Sequence, residues 1–437
     1  MTIRQYWARM LYGDRILRMP IRAAPAVTAA AIVPVVENSA GPIYMSSYYK
    51  IYTGAVVIGV IGAVGGYLYV QQQKNDAAAA MQAVTTDLLE ARNSGAIQKA
   101  QSLIANKQPS DSLYDADLAI ASMATFREMA FDREDPPSSK EWIQVIDMAK
   151  KRFESTRDPY VQAPAINLMM YILNETRDPI VAAEIFKDEP FKTLNGKDRE
   201  TSLKNLATYS TETYPTAPAY LMLARVRANA INRLLKPGSV MPIDNSYKPG
   251  LILRAEQIEE DIKSARLAAE ATKIFEEKSA YGSLSILWDS WNIMWSAFAL
   301  SQAARVDKKY WTEAEGGFME LIRRTETTVD ENGKTFPAFQ QFEIIARINY
   351  ACALYDIFGD ARATDITAQL DTLSAMIERR PDLYNAQHRL FDSISKNRQS
   401  FDPQLSDSAR RQYQEFSGLA KYSPAFTSYL NSRGWEL

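Results

Sequence analysis

Side chains suited to nucleophilic, acid–base or metal chemistry are scarce, with His388 the only histidine and Cys352 the only cysteine among 437 residues. One of each cannot complete a Cys/His zinc site or a paired-histidine metal site, which needs at least two such ligands. Cys352 falls in the apolar run Ile344 to Phe358 and reads as a buried, inert thiol rather than a nucleophile. A lone cysteine forms no internal disulfide, so the redox compartment is not indicated either way. His388 follows Tyr384 with no evident acid or nucleophile beside it, so a surface or capping role is expected. No GxxxxGK phosphate loop, GxGxxG fingerprint or GxSxG elbow occurs. Carboxylates such as Glu256, Glu259, Glu260 and Asp261 are interleaved with lysines and arginines, as on a solvated helix face. No catalytic residue, metal ligand or cofactor is therefore expected. An enzyme whose acids are gathered only by the fold ranks last of three readings.

The remaining candidates are binding residues. Leu284 to Leu300 carries Trp288, Trp291 and Trp295, spaced three and four apart and so on one helix face. Ile286, Leu287, Ile293, Met294 and Phe298 make the other faces apolar too, as in a buried helix. Two readings stand: a central core helix, or an aromatic groove for a partner peptide or a lipid. A membrane span here is disfavoured by Ser285, Asp289, Ser290, Asn292 and Ser296, which are costly in lipid.

Ile51 to Val70 contains no charged residue over twenty positions. As a helix it would measure roughly 30 Å, the thickness of a bilayer's hydrocarbon core. Tyr44, Tyr48, Tyr49 and Tyr52 crowd one end, while Tyr67 and Tyr69 mark the other, in the manner of interfacial aromatic belts. A single transmembrane helix is expected. Within it Ala55, Gly59 and Ala63 form one row of small residues, and Gly62 with Gly66 forms a second. Such rows let helix backbones approach closely in lipid, so packing on another membrane helix is expected.

Residues 1–50 carry six basic and two acidic side chains, a net +4, which leaves −6 for the chain beyond the span. The positive-inside rule keeps this arm in the cytoplasm, or in a mitochondrial matrix, and sends the C-terminal part to the periplasm or intermembrane space of an inner membrane. Arg4, Arg9, Arg15, Arg18 and Arg22 alternate with Ile3, Tyr6, Trp7, Met10, Leu11 and Leu17. That pattern suits an amphipathic helix on anionic headgroups, although a plain basic tail would look similar. The acidic balance of the remainder argues against nucleic acid as a partner.

From Gln71 onward the apolar spacing is helical almost throughout. The exception is 327–336, a small hairpin turning at Asn332-Gly333. Breaks fall at Asn93-Ser94-Gly95, Asp135-Pro136-Pro137, Arg177-Asp178-Pro179 and Gly359-Asp360, and residues 236–250 read as an inserted loop. A repeat is faintly visible: Ile166-Asn167 precedes Asp178 by the same distance as Ile348-Asn349 precedes Asp360, and Pro190 and Pro381 close the two units. Ala77 to Ile104 and Ala217 to Leu235 could begin further units. The expected architecture is all-α: one N-terminal transmembrane helix, then a tetratricopeptide-like (TPR-like) α-solenoid or an irregular α/α array.

The basic arm, the glycine-rich span, the exit Gln71-Gln72-Gln73-Lys74 and the alanine-rich first helix pair resemble bacterial membrane-anchored periplasmic TPR-like proteins that accompany the Sec translocon and its chaperones. The resemblance covers about Tyr49 to Ala105 and implies a scaffold or chaperone-like role. The functional expectation is a structural or assembly subunit whose partners are other membrane subunits and the bilayer. The alternative is an anchored chaperone-like factor holding unfolded or peptide clients.

Overall fold

The computed structural model describes residues 79, 83–84, 86–105, 124–155, 159–242, 246–273, 282–330 and 332–437. The expected span, the arm and the small-residue rows lie outside the described residues. Among the described residues no helix is long and apolar enough to cross a membrane.

The fold is all-α. In chain order the helices are α1 (Asn93–Ala105), a π-helical turn (Glu128–Asp132), α2 (Ser139–Ser155), α3 (Pro159–Glu175), α4 (Pro179–Ile185), α5 (Arg199–Thr213), α6 (Ala217–Leu234) and α7 (Lys248–Lys273). They continue as α8 (Gly282–Ala304), α9 (Trp311–Thr327), α10 (Pro337–Phe358), α11 (Ala363–Arg379), α12 (Asn385–Asn397), α13 (Pro403–Ala420) and α14 (Pro424–Ser432).

Local chemistry sets the boundaries. Asp178, Asp198, Asp402 and Ser423 accept hydrogen bonds from first-turn amides of α4, α5, α13 and α14, satisfying donors that a helix start leaves unpaired. Proline occupies the first turn of α4, α6, α10, α13 and α14, where its missing N–H costs nothing. Gly359, at φ +54°, ends α10 in a conformation that a β-carbon would strain.

Burial follows the helical period. In α11 the buried positions are Ile366, Leu370, Leu373 and Ile377, a single stripe at i, i+4, i+7 and i+11. α10 instead buries residues on several faces, from Ala338 and Phe342 to Ala351 and Leu354. The packing explains the difference: α6, α8 and α10 touch one another in series, and α7, α9 and α11 each pack beside them. α8 and α10 are thus enclosed between neighbours on more than one side, whereas α11 faces solvent on its far side.

The array then turns back on its beginning. α12 packs against the π-helical turn, and α13 against α10. Arg389 donates to the carbonyls of Met129 at 3.2 Å, Ala130 at 2.5 Å and Arg133, while Asn385 donates to that of Asp132 at 2.5 Å. These bonds satisfy carbonyls at the end of the π-turn that have no helical partner.

Several boundaries move. The first break lies at residues 90–92, where Ala91 has φ 53°, and Asn93-Ser94-Gly95 form the opening turn of α1. A β-carbon at Gly95 would stand 2.9 Å from Asp87 Oδ2 and push that side chain aside. The loop after α6 is shorter than 236–250, since Pro249 and Gly250 belong to the first turn of α7. The hairpin is reduced to one antiparallel bridge, Val329 to Thr335, with Gly333 at φ 75°. The two repeat-like stretches share a helix–turn–helix order and a 3-10 turn next to Pro190 or Pro381. Their second helices differ, however: α4 has 7 residues and α11 has 17.

Candidate functional site

The tryptophan helix, α8, is seated in the core. Trp295 is 5 % exposed; its ring meets Tyr171 edge-on at 5.4 Å and lies 4.9 Å beneath the Arg225 guanidinium. Trp291 is half-buried against Phe131 at 5.5 Å and Phe342 at 5.1 Å. The side chain of Trp288 lies outside the described residues. The two described tryptophans therefore contact each other and α3, α6, α10 and the π-turn, rather than lining an open aromatic groove.

One crevice borders this seam, with about 160 Å³ of empty space lined by Arg127, Phe131, Trp291, Gln341, Phe342 and Ile345. Arg127 Nε and Gln341 Oε1 are buried there without hydrogen-bond partners. Burial pushes the Arg127 guanidinium down to about 10, against the pull of Asp132. The Asp132 carboxyl is raised, again by burial, while Asn93 donates to it at 2.8 Å. That space is continuous with solvent and leaves no enclosed room for even a water molecule, let alone the several hundred Å³ of an ordinary small-molecule site.

The densest polar centre lies where the loop after α6 crosses α8, α10 and α13. Arg305, whose side chain is fully buried, donates from Nη2 to Lys236 O at 2.6 Å and from Nε to Ser239 O at 3.1 Å. Its Nη1 reaches Asn232 Oδ1 at 2.9 Å and Gln302 Oε1 at 3.0 Å. Asp356 Oδ2 stands 2.8 Å from the same Nη1, an ion pair without hydrogen-bond alignment. Asp356 Oδ1 accepts from the Gly238 amide at 2.6 Å.

Gly238, at φ +69°, lies against the Tyr355 ring, 2.7 Å from where its β-carbon would be. Arg411 adds a second guanidinium, donating to Asn232 Oδ1 at 2.9 Å and to the Leu235 carbonyl. Glu415 and Cys352 complete the group. Burial, then the Asp356 charge, raises the Glu415 carboxyl to about 7. Burial, then the Glu415 and Asp356 charges, lifts the thiol well above its usual range. A thiol so disposed is a poor nucleophile, and Arg305, Arg411 and Asp356 together hold the loop against α10 and α13.

His388 is half-buried, its ring nitrogens 3.1 Å from Tyr429 Oη and 3.2 Å from Pro381 O. Burial and then the Arg433 charge lower its pKa. Among the described residues no cluster of three metal-ligating side chains occurs.

A set of charges that sequence reading missed gathers at the end of α3: Arg177, Arg199 and Arg225 around Glu175. Their positions are 22 and 26 apart, so no local motif joins them. The one available signal was Arg225 itself, a charge set directly after the apolar run Leu221-Met222-Leu223-Ala224. Comparison with protein-family models, curated proteins and solved structures finds no match for the chain.

Proposed function

We propose that this chain is a non-enzymatic structural or assembly subunit of a multi-protein membrane complex. A single transmembrane helix over Ile51–Val70 anchors it, and a TPR-like array presents the docking surface. The observation that carries the reading is the charge-free, glycine-rich run Ile51–Val70, joined to a long chain of helices. In lipid, close approach of backbones replaces the hydrophobic drive between helices, so Ala55, Gly59, Gly62, Ala63 and Gly66 would pack on a partner's membrane helix. Arg4, Arg9, Arg15, Arg18 and Arg22 would hold the arm at the anionic face.

The test is mild detergent extraction of the tagged native protein, a native gel, and quantitative mass spectrometry of the band. A sharp band with a few partners at fixed ratio supports the subunit. A monomer trailing many substoichiometric clients supports an anchored chaperone instead. Replacing both Gly59 and Gly62 by leucine should weaken association, because the added side chains hold the two backbones apart. Unchanged co-migration of the double variant would sink the packing role.

A further inference from the structure

Arg199, the first residue of α5, donates from Nη1 to the carbonyls of Asn174 at 3.0 Å and Thr176 at 3.5 Å, and so reaches across Glu175. Arg225, in the middle of α6, lies over Trp295. Arg177, just past α3, donates to Ser408 Oγ at 2.9 Å. Among the described residues none of the three has a carboxylate within ion-pair distance.

The acids nearby are committed elsewhere. Glu200 pairs with Arg233, and Asp402 caps α13 through the Gln404 and Leu405 amides. Glu175 is exposed and bonded to the Asn174 side-chain amide at 3.1 Å. Counting Arg389, whose fork is occupied by the π-turn carbonyls, four guanidiniums face the two carboxylates Glu175 and Asp402, a local surplus of +2. Arg177 is exposed, whereas Arg199 and Arg225 are partly buried, and partly buried cations ordinarily carry a counterion. Here burial lowers all three arginines, and the Arg177 and Arg225 charges press further on Arg199.

We propose that Arg177, Arg199 and Arg225 form a docking site for a short acidic segment of a partner protein, whose carboxylates join Glu175 among the guanidiniums. This deepens the subunit reading and rests on it. Guanidinium forks match planar carboxylates. The net −6 of the chain beyond the span repels a long polyanion such as nucleic acid, so a short anion fits a spot this local.

The probe is a fluorescent hexaglutamate peptide titrated into the detergent-solubilised full chain at low ionic strength, with hexaglutamine as control. Hexaglutamate should bind and hexaglutamine should not. Arg177→Gln with Arg225→Gln should weaken binding by at least about tenfold, given the strength of charge-assisted contacts. Glu175→Gln should tighten it, a gain that a merely structural role for the arginines would not produce. Equal binding by the arginine variant, no gain from Glu175→Gln, or displacement by inorganic phosphate as readily as by free hexaglutamate overturns the site. The native gel separates the two failures. A discrete complex whose isolated chain ignores hexaglutamate leaves the subunit reading intact, whereas peptide binding by a chain found in no complex removes that reading.

Discussion

At the scale of single residues, the Arg305 centre illustrates how a buried charge is kept. Arg305 Nη1 faces Asp356, and the remaining guanidinium nitrogens are taken by backbone carbonyls of the loop. Removing one member of a buried pair strands the other, at a cost of about 3–5 kcal/mol, while removing both with apolar replacements can be near neutral. Arg305→Met should therefore destabilise the protein by that amount, and Arg305→Met with Asp356→Leu by clearly less than the sum of the singles. A denaturant double-mutant cycle reads the difference. Glu415 adds a pH dependence. Its carboxyl is raised in the fold by burial and by Asp356, with Arg305 and Arg411 opposing. The folded state therefore holds the proton more tightly than the unfolded chain. This contribution is fully present below the ordinary carboxyl range and is lost as pH rises through about 7. Melting temperature should fall between pH 5 and pH 8 in the parent, and the slope should flatten in Glu415→Gln. A slope unchanged by that substitution would assign the fall to another raised carboxyl such as Asp356 or Asp132, since His388, whose pKa is lowered, makes stability rise with pH.

At the scale of elements, much was legible because the signals were local. Asp178-Pro179, Asp402-Pro403 and Ser423-Pro424 are helix starts that any chain would read in the same way. The stop at Gly359 needs only its own positive φ. What stayed hidden needed partners from far along the chain. Pro249 and Gly250 look like loop residues alone, yet form the first turn of α7, a position that tolerates both. The tryptophan spacing showed a single face but not what covers it. That depended on Tyr171, Phe131 and Phe342, contributed by three other elements. The arginines around Glu175 were invisible for the same reason. Because α8 joins α6, α9 and α10, its core contacts should be costly to remove. Trp295→Ala should lower stability by about 3–5 kcal/mol, measured by urea unfolding of the full chain in detergent. A loss below 1 kcal/mol would mean the ring is not packed as described.

At the scale of the whole molecule, the question is whether the array behaves as an open stack or as a closed body. In an open stack each helix pair senses only its neighbours, and the ends unfold independently. Here Gln341 reaches Asp132 across 209 positions, and Arg389 reaches Met129 across 260. The π-turn supplies the acceptors, since its last carbonyls lack helical donors, and α12 supplies the cation that meets them. The π-turn and α12 are thereby tied through Arg389 and Asn385, so α2–α3 and α12–α13 should exchange their amide hydrogens as one cooperative unit. Arg389→Ala should remove about 1.5–3 kcal/mol, the range for hydrogen bonds to a charged group. The larger consequence is a split: faster exchange at 128–133 and in α12, with α8–α11 still protected. Hydrogen exchange read by mass spectrometry checks this directly. Uniform acceleration across all helices would mean that Arg389 supports the body generally rather than closing it. Independent exchange of the two ends already in the parent protein would mean that an open stack describes the array.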